Sequence, residues 1–123
     1  MNDTTRRVPG QLPEFPGAVV HSGLIYAAGI VDEVALRGLA RSSSEQMNGA
    51  LDALIGVVES SGGDSASILR IEAYLASPDD LPAWGSAFNE RWPKNAPART
   101  TLITQLALST LTVEIQAIAA VNQ

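Results

Sequence analysis

Between Leu111 and Val121 the chain alternates strictly. Leu111, Val113, Ile115, Ala117 and Ala119 fall on one side, and Thr112, Glu114, Gln116 and Ile118 on the other. A period of two over this length specifies an extended strand with one face turned to a core. The same signature spans residues 66–76, where Leu69, Ile71, Ala73 and Leu75 alternate with Arg70, Glu72 and Tyr74. Half-buried strands of this kind cannot cover their own apolar faces, so a second layer has to be supplied by the rest of the chain.

Two helices supply it. Ser42 and Glu45 have capping-box spacing, and Met47, Leu51, Leu54 and Val58 follow at three- and four-residue steps, with Ala50 and Val57 widening the stripe. Gly62-Gly63 stops that helix. Ser77-Pro78-Asp79-Asp80 starts the second, with acids at the positive end of the dipole. It places Leu81, Trp84, Phe88 and Trp92 on one face and is closed by Pro93, Pro82 being tolerable near the first turn. Upstream, Ala18–His21 and Leu24–Gly29 flank Ser22-Gly23 and read as a β-hairpin. Gly29 ends its second strand or lets another group approach the backbone closely. Residues 30–39, with Gly38, are expected as a loop. Thr100–Leu108 is expected as a strand, joined to the last one near Ser109-Thr110. Residues 1–17 hold Pro9, Pro13 and Pro16 beside Gly10 and Gly17 and read as a loop-like arm, with Phe15 expected to tuck against the body. The order strand, strand, helix, strand, helix, strand, strand gives an α+β fold in a single domain over 1–123, with both helices on one face of a mixed sheet. The other face, carrying Tyr74, Glu114, Ile103 and Ile118, is left uncovered and points to self-association with a site between subunits.

Composition narrows the chemistry. No cysteine is present among the 123 residues, which excludes disulfides, thiolate metal sites and a cysteine nucleophile. His21 is the only histidine, so a Ser-His-Asp triad would have to be built on it. Its setting, Val19-Val20-His21-Ser22-Gly23, reads instead as a strand end before a turn. A multi-histidine metal site is impossible, no acidic loop has Ca²⁺ or Mg²⁺ spacing, and no metal is expected. Net charge is −5 with no basic patch, leaving no electrostatic basis for nucleic-acid binding. No apolar run approaches the roughly 18–20 residues of a membrane span, and no signal-peptide core follows Arg6-Arg7. A soluble, cytoplasmic chain without a membrane partner is therefore expected.

The remaining stretch with chemistry is Ala96-Pro97-Ala98-Arg99-Thr100-Thr101, a proline-limited turn that delivers an arginine to the mouth of a strand. The guanidinium is permanently charged, and its planar fork matches a carboxylate. Pro97-Ala98-Arg99-Thr100, followed fifteen residues after Arg99 by Glu114 in Val113-Glu114-Ile115-Gln116-Ala117, resembles the Pro-Ala-Arg-Ser signature and closing strand of the Rid family. This family is also called YjgF, or reactive intermediate deaminase. The likeness runs from about Phe15 to Val121 and includes Gln46, Leu51 and the Glu59–Gly62 ending of the long helix.

The resemblance implies a chorismate-mutase-like subunit, a homotrimer whose sheets form a barrel, and sites at the subunit clefts. It implies cofactor-free hydrolysis of 2-imino or 2-enamino acids to 2-keto acids and ammonia. Arg99 would grip the carboxylate of this small-molecule substrate and Glu114 would position water. Around that pair the sequence departs from the family pattern. Ala28-Gly29-Ile30 stands where Ser-Gly-Gln is usual, Phe15 where tyrosine is usual, Gly85 at a frequent asparagine and Thr101 at a frequent cysteine. These residues would line the substrate site and make it more apolar, suiting a larger or more hydrophobic substrate. Two other readings stay open at this point. One is a pathway-specific relative that hydrolyses, tautomerises or condenses another reactive intermediate, and the other is a trimeric small-ligand-binding protein without turnover.

Overall fold

A computed structural model of the chain describes residues 4–123. Among these residues six strands and three α-helices run in the order β1 (Arg6–Val8), β2 (Ala18–His21), β3 (Leu24–Ala27), α1 (Glu33–Leu36), α2 (Ser43–Ser60), β4 (Ile68–Leu75), α3 (Leu81–Arg91), β5 (Ala98–Ile103) and β6 (Val113–Ala120). The strands form one sheet ordered β1-β2-β3-β6-β4-β5, antiparallel throughout except for the β4–β5 pair. A parallel pair needs a crossover, and α3 provides it.

The long strand β6 lies in the middle of the sheet, and its alternation is realised residue by residue. Leu111, Val113, Ile115, Ala117 and Ala119 are all buried, and the residues between them are half-buried on the opposite face. Helix α2 lies over the buried face with Met47, Ala50, Leu51, Leu54 and Val58 fully enclosed. The expected capping box is present at its start: the Ser42 Oγ accepts from the Glu45 N–H and the Glu45 carboxylate accepts from the Ser42 N–H. The Ser42 backbone N–H and then the Ser42 side chain, with Arg41 nearby, hold the Glu45 carboxyl below the usual carboxylate range. Helix α3 packs on α2 through Trp84, Ala87 and Phe88, and Arg91 clasps α2 through Asn48 and Asp52. Trp84, Phe88 and Trp92 stack in sequence with ring centroids 5.7 and 5.0 Å apart. Two helices thus cover one face of a mixed sheet, as the α+β reading expects.

Several boundaries differ from expectation for identifiable reasons. Within the 1–17 arm, residues 1–3 lie outside the described residues, and Arg6–Val8 is a strand paired with β2. Arg6 also donates to the Ser61 carbonyl at the end of α2, using a charge where the helix has unsatisfied acceptors. Phe15 is 44% exposed instead of tucked away. Residues 30–39 contain the one-turn helix α1, capped by Asp32. The strand expected over 100–108 occupies Ala98–Ile103 and stops there, because its partner β4 ends at Leu75 opposite Ile103. That register puts Ile103 on the helix-bearing face beside Leu75, and it is Leu102, opposite Tyr74, that shares the uncovered face. Leu81 is 45% exposed, so the buried stripe of α3 begins at Trp84. The hairpin turn at Ser22-Gly23 has φ values of 51° and 80°, the primed geometry that matches strand twist. His21 ends β2 and shares a hydrogen bond with Thr5 Oγ1 at 2.9 Å, consistent with its strand-end reading. Among the described residues no helix is long and apolar enough to cross a membrane.

Candidate functional site

The central strand presents Glu114 opposite Tyr74, on the face away from α2. After β3 the chain passes through Ala28-Gly29 and returns to β6 at Ile30, which exchanges two backbone hydrogen bonds with Ile115 at 2.7 and 2.9 Å. This bridge sets Gly29 directly against the Glu114 side chain. A Cβ built on Gly29 would collide with the carboxylate oxygen and lie 3.1 Å from the carboxyl carbon. The acid rests on bare backbone, and a side chain at position 29 would displace it.

Glu114 and Gly29 open into a pocket of about 330 Å³, whose walls include Leu12, Phe15, Val31, Leu36, Leu108 and Leu111. Each wall has a separate anchor. The arm is held by the Gln11 amide, which donates to the Val31 carbonyl at 2.6 Å and accepts from the Val31 N–H at 3.1 Å. Val31 and Leu111 are buried with Ala35 in a small apolar cluster against Leu36 and Leu106. Asp32 caps α1 and takes two hydrogen bonds from Arg41, at 3.1 and 3.3 Å. The hydrogen bond to Asp32 raises the Arg41 guanidinium above its ordinary range, against a smaller opposing effect of desolvation. The 106–111 segment is tied down by Gln46, which is buried and bonds the Thr110 carbonyl at 2.8 Å and the Thr112 N–H at 2.9 Å. Thr110 Oγ1 in turn donates to the Ala35 carbonyl at 3.1 Å.

Arg99 occupies a different setting. It is the second residue of the edge strand β5, in register with Ile71 of β4. Pro97 is buried and anchors the turn that delivers it. Its guanidinium carbon stands 4.6 Å from the centroid of the Phe88 ring of α3, a cation–π contact that orients the fork. Among the described residues Arg99 makes no ion pair, so its donors are free for an external anion. Thr101 follows on the same face beside Ala73. Gly85 lies one turn before Phe88 on α3, with open space where a side chain would be.

The anticipated residues therefore fall into two groups. Phe15, Gly29 and Glu114 line one pocket, and Ala28 sits in an adjoining depression with Phe15 and Tyr26. Arg99, Thr101 and Gly85 belong to the β5–α3 flank. Ile30 belongs to neither, because its side chain is buried in the main core. Within one chain Arg99 and Glu114 do not meet. Glu114 is level with Tyr74 and Arg99 with Ile71, an odd number of residues apart on β4, so the two side chains leave opposite faces of the sheet. Two strand spacings and three residues of rise separate their backbones by about 14 Å. Among the described residues no group of His, Asp and Glu side chains is arranged to hold a metal ion. Gln11, Leu12, Val31, Leu36, Leu108 and Leu111 complete the pocket without having been anticipated. Gln11 carries no sequence signal, being one polar residue among prolines. Leu36 becomes legible only when Asp32 is read as a helix cap.

Residues 6–121 match the family described as endoribonuclease L-PSP. No curated protein sequence matches the chain. Among solved structures, a YjgF-family protein of Neisseria meningitidis is similar at 24% identity, with a TM-score of 0.88 over 100% of this chain and 99% of that one. A YjgF/YER057c/UK114-family member of Mycobacterium tuberculosis is 20% identical, with a TM-score of 0.84 over 96% and 100% of the two chains. Yeast Mmf1 is 15% identical, with a TM-score of 0.84 over 97% and 100%. At these identities the likeness is one of fold.

Proposed function

Since the chain belongs to the endoribonuclease L-PSP family, that of the YjgF proteins, we propose that it hydrolyses reactive 2-imino and 2-enamino acids to 2-keto acids and ammonia without a cofactor. The reading is carried by the split just described: a carboxylate in a sheltered pocket and an unpaired arginine fork on an edge strand, in the two positions where the family's signature falls. Neither half is a site alone. A second copy that sets its β5 edge against the pocket of the first would complete one, and a homotrimer provides three such clefts. The uncovered sheet face supports this assembly, because Tyr26 and Leu102 on it are 44% and 50% exposed, alongside Ile118 and Tyr74.

In the complete cleft, Arg99 of one copy holds the substrate carboxylate through a charge-assisted contact worth roughly 1.5–3 kcal/mol in all. Glu114 of the other copy holds a water against the C=N carbon and accepts its proton as the C–O bond forms. The C=N π pair moves to nitrogen, which takes up that proton from Glu114, giving a carbinolamine and restoring the carboxylate. Transfer of the hydroxyl proton back through Glu114 to nitrogen then breaks the C–N bond, releasing ammonia and leaving the 2-keto acid. An enamine enters the same path after protonation at its β-carbon. The imine is already electrophilic, so positioning water and substrate is the main task of the protein.

The test is keto-acid release from 2-aminoacrylate and other imino acids generated in situ by an amino-acid-consuming enzyme, with the wild type and Arg99→Ala. The wild type is expected to accelerate release and the variant to lose most of that acceleration. A wild-type rate equal to buffer for every imino acid tried would refute the deaminase reading.

A further inference from the structure

We propose that the pocket beside Glu114 selects substrates by their side chain, taking 2-oxo and 2-imino acids that carry a branched-aliphatic or aromatic group and excluding acidic ones. The assignment of the reaction rests on the reading above, whereas the selection rests on the pocket itself. Its apolar lining includes Leu12, Phe15, Val31, Leu36, Leu108 and Leu111, and Glu114 is its charged group. Gln11 also lines it, but both ends of its amide are occupied by the Val31 backbone, so it offers little to a polar ligand. A polar group placed among these side chains would lose water without gaining a partner, and an acidic one would also face Glu114.

Size points the same way. At about 330 Å³ the cavity lies at the lower end of small-molecule pockets. A methyl group would leave most of it to water, whereas an isobutyl or benzyl group would displace that water from apolar walls. Leu12, Phe15 and Leu108 at the rim are 37%, 44% and 42% exposed in the single chain, so they can contact an apolar group held between the pocket and a second copy. The walls are formed in advance, because the arm, the 31–36 segment and the 106–111 segment are each pinned by the hydrogen bonds of Gln11, Gln46 and Thr110. Preorganisation of this kind turns apolar contact into selectivity. Gln11 is accordingly a positioning residue for the specificity wall.

Calorimetric binding of four stable 2-oxo acids to the full chain tests this. 4-Methyl-2-oxopentanoate and phenylpyruvate are expected to bind at least tenfold more tightly than pyruvate, with 2-oxoglutarate weakest. Leu108→Asn, on an exposed loop, should remove most of that preference by weakening phenylpyruvate more than pyruvate. Gln11→Ala should weaken phenylpyruvate more than pyruvate in a chain whose melting transition remains cooperative. Equal binding of pyruvate and phenylpyruvate, binding of none of the four, or a preference unaltered by both substitutions would overturn the proposal. A preference of the expected kind in a protein that turns over no imine would uphold the selection and refute the deaminase reading, so the two failures are separable.

Discussion

The two halves of the candidate site are built on opposite plans. Glu114 stands on the middle strand, against the backbone of Gly29, in a pocket whose three walls are separately fastened. Arg99 stands on an edge strand, exposed, with a single ring beneath it and, among the described residues, no ion-pair partner. The first half offers shape and selectivity, and the second offers a charge that any approaching carboxylate can use. A chain that keeps an unpaired guanidinium on one flank and a sheltered carboxylate on the other face has parts suited to meeting across an interface. The consequence is that damage to the two halves should look different.

On the Glu114 side the effects should be steep. Glu114→Gln keeps the shape and removes the proton acceptor, and keto-acid release should fall about 10²- to 10⁴-fold with little change in KM. Gly29→Ala forces the carboxylate off its seat, and about a 10²-fold loss of kcat is expected from misplacement alone. On the Arg99 side the loss should fall on substrate capture. Arg99→Ala should lower kcat/KM about 10- to 100-fold, and Arg99→Lys should recover little of it, because an ammonium lacks the fork. Phe88→Leu, which removes the ring under the guanidinium, should raise KM about two- to fivefold. An Arg99→Ala variant that lost kcat as steeply as Glu114→Gln would erase the distinction between the halves.

The smallest effect tests the scaffold beside the pocket. Glu45 has a lower carboxyl pKa in the folded chain than its ordinary value, chiefly through its hydrogen bonds with Ser42. Its contribution to stability is thus present above the unfolded value near 4.5 and is lost as pH falls through the depressed folded value. Thermal melts of the wild type and Glu45→Gln should differ slightly at pH 6 and converge as the pH drops below 4.

Much of the fold was legible because its central elements carry strong periodic patterns. The Ser42–Glu45 box, the stripe from Met47 to Val58 and the alternation of Leu111 to Ala119 each bury one continuous face, and burial is what periodicity reports. What escaped is short or set by partners. Strand β1 has three residues, two of them exposed arginines, and shows no alternation. Helix α1 is a single turn whose only sign is the Asp32 cap. The end of β5 depends on where β4 stops, and the face of Ile103 on a register invisible in one strand alone. The site divided likewise. The Phe15, Gly29 and Glu114 positions line one pocket, and Arg99 was marked by its own turn chemistry. Ile30 went to the core because its backbone bridges to Ile115, with its side chain turned inward. The apolar pocket wall stayed unseen because it is assembled from three segments distant in sequence, joined by glutamine side chains that bond backbone.

The central claim is that one catalytic cleft takes Arg99 from one copy and Glu114 from another. It is tested most directly by mixing Arg99→Ala and Glu114→Gln chains, each at least tenfold below the wild type at subsaturating substrate, under conditions that let subunits exchange. In a closed ring with random mixing, about one quarter of the clefts pair an intact Arg99 with an intact Glu114. Keto-acid release should therefore rise to about one quarter of the wild-type rate. A mixture no more active than the sum of its two components, with exchange verified, would contradict the account.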